Sequence, residues 1–357
     1  MSRPTFAQIN TTALLHNVHR VREFAPNKKI IAMVKANAYG SHLPAVVNTL
    51  EGQVDALGVA CLEEAMQIRK LGVRTPCVLF QGVFNQEEYK IASLENFQCV
   101  IHQQQQVEWL INSNLPTKLK VWIKINTGMQ RLGFEVEEYQ KVYHTLLHST
   151  SVHHEIGVMT HLACADEPCH PSNALQLARF NAINFPPQVV RSVANSAAII
   201  ALPHTHADVV RPGIMLYGIS PFPEQTGQEL GLIPVVSLKS KITAIHNYPA
   251  NVPIGYGNTW STPESSRIGV VSIGYGDGYP RHIKENTPVW LNGKLVPIVG
   301  RVSMDILTIN ITYCQNVNLG DSVELWGVHL PIEEIAKCAG TIPYELITQL
   351  TMRVHTV

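Results

Sequence analysis

The sequence predicts an α/β protein, an N-terminal (β/α)8 TIM-like barrel followed by a mostly β C-terminal domain. Three observations predict it. Short apolar runs alternate with amphipathic stretches over roughly the first 225 residues, a length suited to such a barrel. The hydrophobic period then becomes two. A segment rich in Pro, Gly and polar residues separates the patterns.

Lys29 to Val34 (KIIAMV) is a continuous apolar run with β-branched residues, the mark of a buried strand. Ala56 to Ala60, Pro76 to Gln81 (PCVLFQ) and Leu119 to Ile125 read the same way. Gly157 to Leu162 (GVMTHL), Val189 to Val193 and Ala207 to Val210 continue the series. Between them, Glu63 to Leu71 has helical spacing, closed by Gly72 as a C-cap. This alternation argues for βαβ units around a parallel sheet. Residues 218–234 (GISPFPEQTGQELGLIP) read as the junction, which divides the chain into a barrel at 1–228 and a β domain at 229–357. In the latter, Val289-Trp290-Leu291 and Lys294-Leu295-Val296 flank Asn292-Gly293, a strong hairpin signal. Ile306 to Ile311 alternates cleanly, and Val323 to Trp326 follows the Gly320-Asp321 turn.

The chain of 357 residues fits about two domains, and 45% apolar residues suffice for a large core. Lys plus Arg equals Asp plus Glu at 27 each. No single-sign field exists to hold nucleic acid or an anionic membrane, which leaves a small-molecule partner or none. The N-terminus has no apolar h-region and no apolar run reaches the ~20 residues of a membrane span, so a cytoplasmic protein is expected. Seven cysteines without paired spacing suit reduced thiols. Cys164, Cys169 and His170, near Asp166, match no zinc pattern, and no metal is expected.

The strand ends are informative. Lys35 follows IIAMV, Lys124 and Asn126 close VWIKIN, and His161 closes GVMTH. Asn195 and Ser196 close VRSVANS, and Arg211 closes ADVVR before Pro212-Gly213. In a parallel barrel all strand C-termini meet on the face that holds the active site. Polar strand ends are also ordinary turn chemistry, but Lys35 directly continues an almost wholly apolar strand. A lysine head withdrawn from water loses basicity and becomes free to form a Schiff base. Arg211 stays charged, and the amides of Gly213 and Ile214 can approach a phosphate. The residues point to an anionic cofactor held covalently by lysine and do not name a reaction.

Val34-Lys35-Ala36-Asn37-Ala38-Tyr39-Gly40 resembles the pyridoxal-phosphate signature of alanine racemases. Further matching segments follow in order: Asn126 to Gly133, Met159 to Ala163, Ala194 to Ala197, Val210 to Gly218, Gly274 to Pro280 and Gly300 to Asp305. The resemblance spans nearly the whole chain. It implies a racemase that interconverts L- and D-alanine by two-base proton transfer at the Cα of a pyridoxal-phosphate-bound amino acid. It implies Lys35 as the cofactor lysine and one base, and Tyr275, given by the other subunit of a homodimer, as the second. Tyr39, Ser196, Gly213 and Ile214 are then phosphate ligands, with Asn195 beside them. Arg211 meets the pyridine nitrogen without giving up its proton, which favours proton exchange over transamination. Arg131 lies near the ring hydroxyl, and Lys124 matches a lysine often carbamylated in the family. His161 bridges Arg211 and Tyr275. The Met304 amide and Arg131 take the substrate carboxylate, and Asp166 stands at a gate. The family implies a role in D-alanine supply for peptidoglycan.

One departure concerns specificity. Many racemases carry a tyrosine before an Arg-Val pair near the C-terminus, and Met352 stands there in this chain. Met cannot donate to a phosphate and is adaptable in shape, so a broader alanine and serine racemase is an alternative. A non-catalytic pyridoxal-phosphate-binding module would lack the β domain and Tyr275. A fold-related decarboxylase would need a Cys-Asp element, absent after Cys314 and Cys338. His204 and His206 have metal-ligand spacing but precede their strand, on the face away from the mouth. Gly274-Tyr275-Gly276 fails as a dinucleotide motif because residue 279 is Tyr.

Overall fold

The computed structural model describes residues 3–357; Met1 and Ser2, at the start of the stretch without an h-region, lie outside them. The first strand is β1 (Phe6–Ile9). The barrel strands follow: β2 (Lys29–Met33), β3 (Ala56–Val59), β4 (Cys77–Leu79) and β5 (Gln98–Ile101), then β6 (Leu119–Lys124), β7 (Val152–Met159), β8 (Val190–Ser192) and β9 (Val209–Val210). They pair in parallel in the order β8-β7-β6-β5-β4-β3-β2-β9. A bridge between Asn195 and Arg211 joins the two ends, so the barrel is nearly closed. Helices between the strands cover its outside. Strands buried on both faces must be apolar throughout, and β3 and β4 are buried at every position.

Two details depart from the sequence reading. β5 (QCVI) opens on a polar residue shortly after the polar Glu95-Asn96 pair and is not among the strands read from the sequence. β7 begins at Val152 and ends at Met159, which leaves Thr160 and His161 in the loop over the mouth.

The second part holds β10 (Val236–Tyr248), β11 (Pro253–Ile254), β12 (Trp260–Ser261), β13 (Ser266–Val271), β14 (Pro288–Leu291), β15 (Lys294–Pro297), β16 (Leu307–Asn310), β17 (Ser322–Trp326) and β18 (His355–Thr356). The expected hairpin joins β14 to β15, with Asn292 and Gly293 both at positive φ (46° and 84°) as its two-residue turn requires. The long β10 organises this sheet. It pairs antiparallel with β1, β13 and β17. β1 also pairs with β18. The N-terminal strand therefore belongs to the second sheet, not to the barrel that follows it in sequence.

The helices Ile332–Ala339 and Pro343–Thr348 tie the two parts together. The buried Glu333 carboxylate accepts the amides of Ser220 (2.9 Å) and Gly227 (2.8 Å), pinning the junction segment. Among the described residues no helix is long and apolar enough to cross a membrane.

Gly157 of β7 stands directly beside Trp122 of β6. A Cβ at residue 157 would collide with the indole, whose Nε1 is fixed by donation to Gln98 (2.8 Å). We expect Gly157→Ala to lower stability by about 1–3 kcal/mol, the usual cost of overpacking. Chemical denaturation checks this; an unchanged midpoint would mean that Trp122 is free to move.

Candidate active site

The C-terminal ends of the barrel strands open into a cavity of about 1330 Å³. Lys35, Tyr39, Lys124, Arg131, His161, Asn195, Ser196, Arg211, Gly213 and Ile214 all line it. Ten residues predicted from strand ends and motifs are thus brought to one wall. Asp166 lines it too.

Each side chain has a local reason for its place. Lys35 leaves β2 and enters an unusual turn. Ala36, Asn37, Ala38 and Tyr39 all have left-handed φ values of 52–54°. Such a conformation costs an L-residue about 1–2 kcal/mol, so outside contacts must hold it. Ala38 N–H bonds the Val34 carbonyl at 2.9 Å. Gly40, at φ 74°, packs so closely on the Ile347 carbonyl that no Cβ would fit. Tyr39 stacks on Tyr217 with ring centroids 4.9 Å apart, and the Tyr217 hydroxyl donates to the Met33 carbonyl at 2.8 Å. The turn thereby brings the Tyr39 ring back against the mouth.

Opposite it, the Gly213 amide donates to Ser196 Oγ at 2.8 Å. A Cβ on Gly213 would sit 2.6 Å from the Tyr39 hydroxyl. Glycine at residue 213 therefore keeps a cradle open between a phenol, a hydroxyl and backbone amides, the donor set a phosphate takes. Asn195 has a second duty, since its side-chain oxygen caps the helix Ser196–Ala201 by accepting Ala198 N–H at 3.0 Å.

The buried Arg211 guanidinium donates to Ser192 Oγ and the Thr160 carbonyl, both at 2.6 Å, and to the Val193 carbonyl at 3.1 Å. None of these acceptors is charged. Burial lowers its pKa to about 10, so it remains a cation at neutral pH. His161 Nδ1 lies 3.3 Å from the same guanidinium. Arg only donates, so Nδ1 accepts and His161 is neutral. Burial, then the charges of Arg211, Lys124, Arg131 and Lys35, hold its pKa well below the ordinary value. Lys124 is lowered to about 8, first by burial and then by Arg211, Arg131 and Lys35. Lys35 is lowered by burial and by Arg131. Burial pushes the Tyr39 phenol up to about 12. The wall is a cluster of cations and neutral donors, which suits an anionic ligand carrying an aldehyde for Lys35. The residues fit pyridoxal phosphate.

Tyr275 and Met304 are not on this wall. They sit together on the second part of the chain, 37% and 51% exposed. Tyr275 N–H bonds the Ser303 carbonyl (3.0 Å) and Gly276 N–H the Met304 carbonyl (2.9 Å). The flanking glycines allow this close approach. Buried Asp277 fixes the turn by accepting Gly274 N–H at 2.9 Å while paired with Arg3 and Arg353. Sequence reading missed Asp277, although it lies inside the matched Gly274 to Pro280 segment.

Met352 is fully exposed on its own chain and does not touch the cavity, contrary to its expected place. The wall carries Tyr344 instead, 6.2 Å from Tyr39 between ring centroids. Buried His206 bonds the Ile199 carbonyl at 2.9 Å, a structural contact away from the mouth.

Comparison with known proteins agrees with this geometry. Residues 9–221 match the family described as alanine racemase, N-terminal domain, and residues 235–357 match alanine racemase, C-terminal domain. The chain is 57% identical over 355 residues to an alanine racemase of Legionella pneumophila (strain Corby), with 99% of each chain covered. Its fold is similar to the alanine racemase of Acinetobacter baumannii, with TM-score 0.94, 43% identity and 99% of each chain covered. It is also similar to an alanine racemase from Bartonella henselae with covalently bound pyridoxal phosphate. That match has TM-score 0.89 and 29% identity, and covers 99% of each chain. Matched over both parts, in sequence and in fold, this chain belongs to the alanine racemase family of pyridoxal-phosphate-dependent enzymes.

Proposed function

We propose that this chain interconverts L- and D-alanine with Lys35 and Tyr275 of the partner subunit as the two proton carriers, on pyridoxal phosphate held at Lys35. The observation that carries this reading is the separation of the two groups. Lys35 lies in the cavity wall, whereas the chain's own Tyr275 is exposed away from it. Racemisation needs one group to take the Cα proton from one face and another to return it to the opposite face. A second copy supplies the missing face.

An exposed apolar set supports a homodimer. Tyr275, Met304, Ile306 and Met352 are all exposed, and the Thr351 hydroxyl donates to the Gly276 carbonyl at 3.0 Å, which brings these segments together. Exposed apolar patches of this kind mark contact surfaces.

When bound, pyridoxal phosphate supplies the electron-withdrawing ring that acidifies the Cα–H of the attached amino acid. The protein's part is binding and proton handling. Tyr39, Ser196 and the amides of Gly213 and Ile214 would hold the phosphate. Arg211, which remains a cation at neutral pH, would meet the ring nitrogen without giving up its proton. This disfavours transamination. Lys35, with lowered basicity, carries the proton on one face. Arg131 and the amide of Met304 of the partner subunit orient the substrate carboxylate.

Purified protein with pyridoxal phosphate should form D-alanine from L-alanine, with L-serine in parallel as the breadth control. Cofactor-loaded protein that forms neither D-amino acid would sink the reading. Lys35→Ala should lose the visible absorption of the bound cofactor; an unchanged spectrum would remove Lys35 from its role. Tyr275→Phe should impair proton removal from L-alanine far more than from D-alanine. Mixing Lys35→Ala and Tyr275→Phe chains in equal amounts should restore about a quarter of wild-type activity, because half the sites in half the dimers are intact. No recovery in verified mixed dimers would show that the two groups act within one chain.

A further inference from the structure

The turn after Lys35 is fastened well at its far end by Tyr217 and Ile347. Its near end is the Lys35–Ala36 peptide, which sets the direction of the lysine. There the Ala36 amide donates to a carboxylate oxygen of Glu64 at 2.8 Å. The other oxygen of Glu64 accepts the Ala60 amide at 2.7 Å. Ala36 follows β2 and Ala60 follows β3, and these strands are parallel neighbours. Lys35, Ala36 and Ala60 all line the cavity. One carboxylate thus staples two strand ends exactly where the lysine departs. Glu64 itself is held in the first turn of the helix Leu62–Lys70, where a negative charge is favoured by the exposed amides.

We infer that Glu64 is a positioning residue for Lys35, fixing the peptide that aims its side chain and holding a negative charge at that peptide. The inference rests on the reading of Lys35 as the cofactor lysine. Cationic Arg131, Lys124 and Arg211, neutral His161 and Tyr39, and the acid Asp166 line the same cavity as Lys35. Burial and Arg131 lower the basicity of Lys35, and Glu64 opposes them. A carboxylate that merely capped its helix would affect stability but not the titration of Lys35.

The test uses the full chain freed of cofactor, mixed with pyridoxal phosphate at a series of pH values. The growth of visible absorption reports uptake at Lys35, with Lys35→Ala as the blank. Glu64→Gln loses the charge and one of the two amide acceptors. Glu64→Asp keeps the charge. We expect the pH midpoint for uptake to fall by about one unit in Glu64→Gln, the scale of one removed opposite charge, and to stay near wild type in Glu64→Asp. Competitive acetylation of Lys35 in the same proteins, read by mass spectrometry, should show the same downward shift. An unmoved midpoint in folded Glu64→Gln, judged by far-UV circular dichroism, overturns the role of Glu64 and leaves the reading of Lys35 intact. Wild-type protein that takes up no cofactor overturns both.

Discussion

The mouth of the barrel concentrates Lys35, Lys124, Arg131 and Arg211 on one wall, and the structure depends on how that clustered positive charge is housed. Arg211 is buried among carbonyls, a hydroxyl and a neutral imidazole instead of a carboxylate. A paired carboxylate would cancel the field that an anionic ligand needs. Neutral acceptors satisfy the donors and leave the charge in place. Burial, reinforced by the same field, keeps His161 neutral and loosens the proton on Lys124. Binding of an anion and tuning of proton carriers are two results of one arrangement.

The arrangement is possible because the barrel is a rigid frame whose strand ends all face one way. A side chain needs no long loop to reach the mouth; it needs to stand just past the last apolar residue of its strand. That rule made Lys35, Lys124, His161, Asn195 and Arg211 legible from sequence. Each is the first polar residue, or nearly so, after an apolar run, and the structure gathers them. Gly213 and Ile214 followed from the turn after Arg211, and the family motif brought in Tyr39.

What stayed illegible has physical causes. β5 begins on Gln98 and lies between the polar Glu95-Asn96 and the glutamine run at 103–106, which hides its apolar core. Glu64 looks like any acid in the first turn of an amphipathic helix, and its contact with Ala36 joins residues 28 positions apart. The left-handed run at 36–39 contains no glycine to betray it. Met352 stood at the right distance from Arg353-Val354, but the direction of the chain there turns its side chain outward. Tyr344, eight positions earlier, had no motif to single it out. Position along a chain constrains place; it does not fix orientation.

The first strand adds a constraint in time. β1 is synthesised before the barrel, yet its antiparallel partner β10 begins at Val236 and its other partner β18 at His355. At ribosomal speeds of roughly 5–20 residues per second, β10 follows β1 by something like ten to fifty seconds. The barrel has time to fold while β1 waits as an unpaired edge. Its sequence, Phe-Ala-Gln-Ile, is short and interrupted by a polar residue, which limits pairing with the wrong chain meanwhile. The nascent protein thus carries β1 unpaired until β10 emerges, and the parallel seam with β18 closes later still.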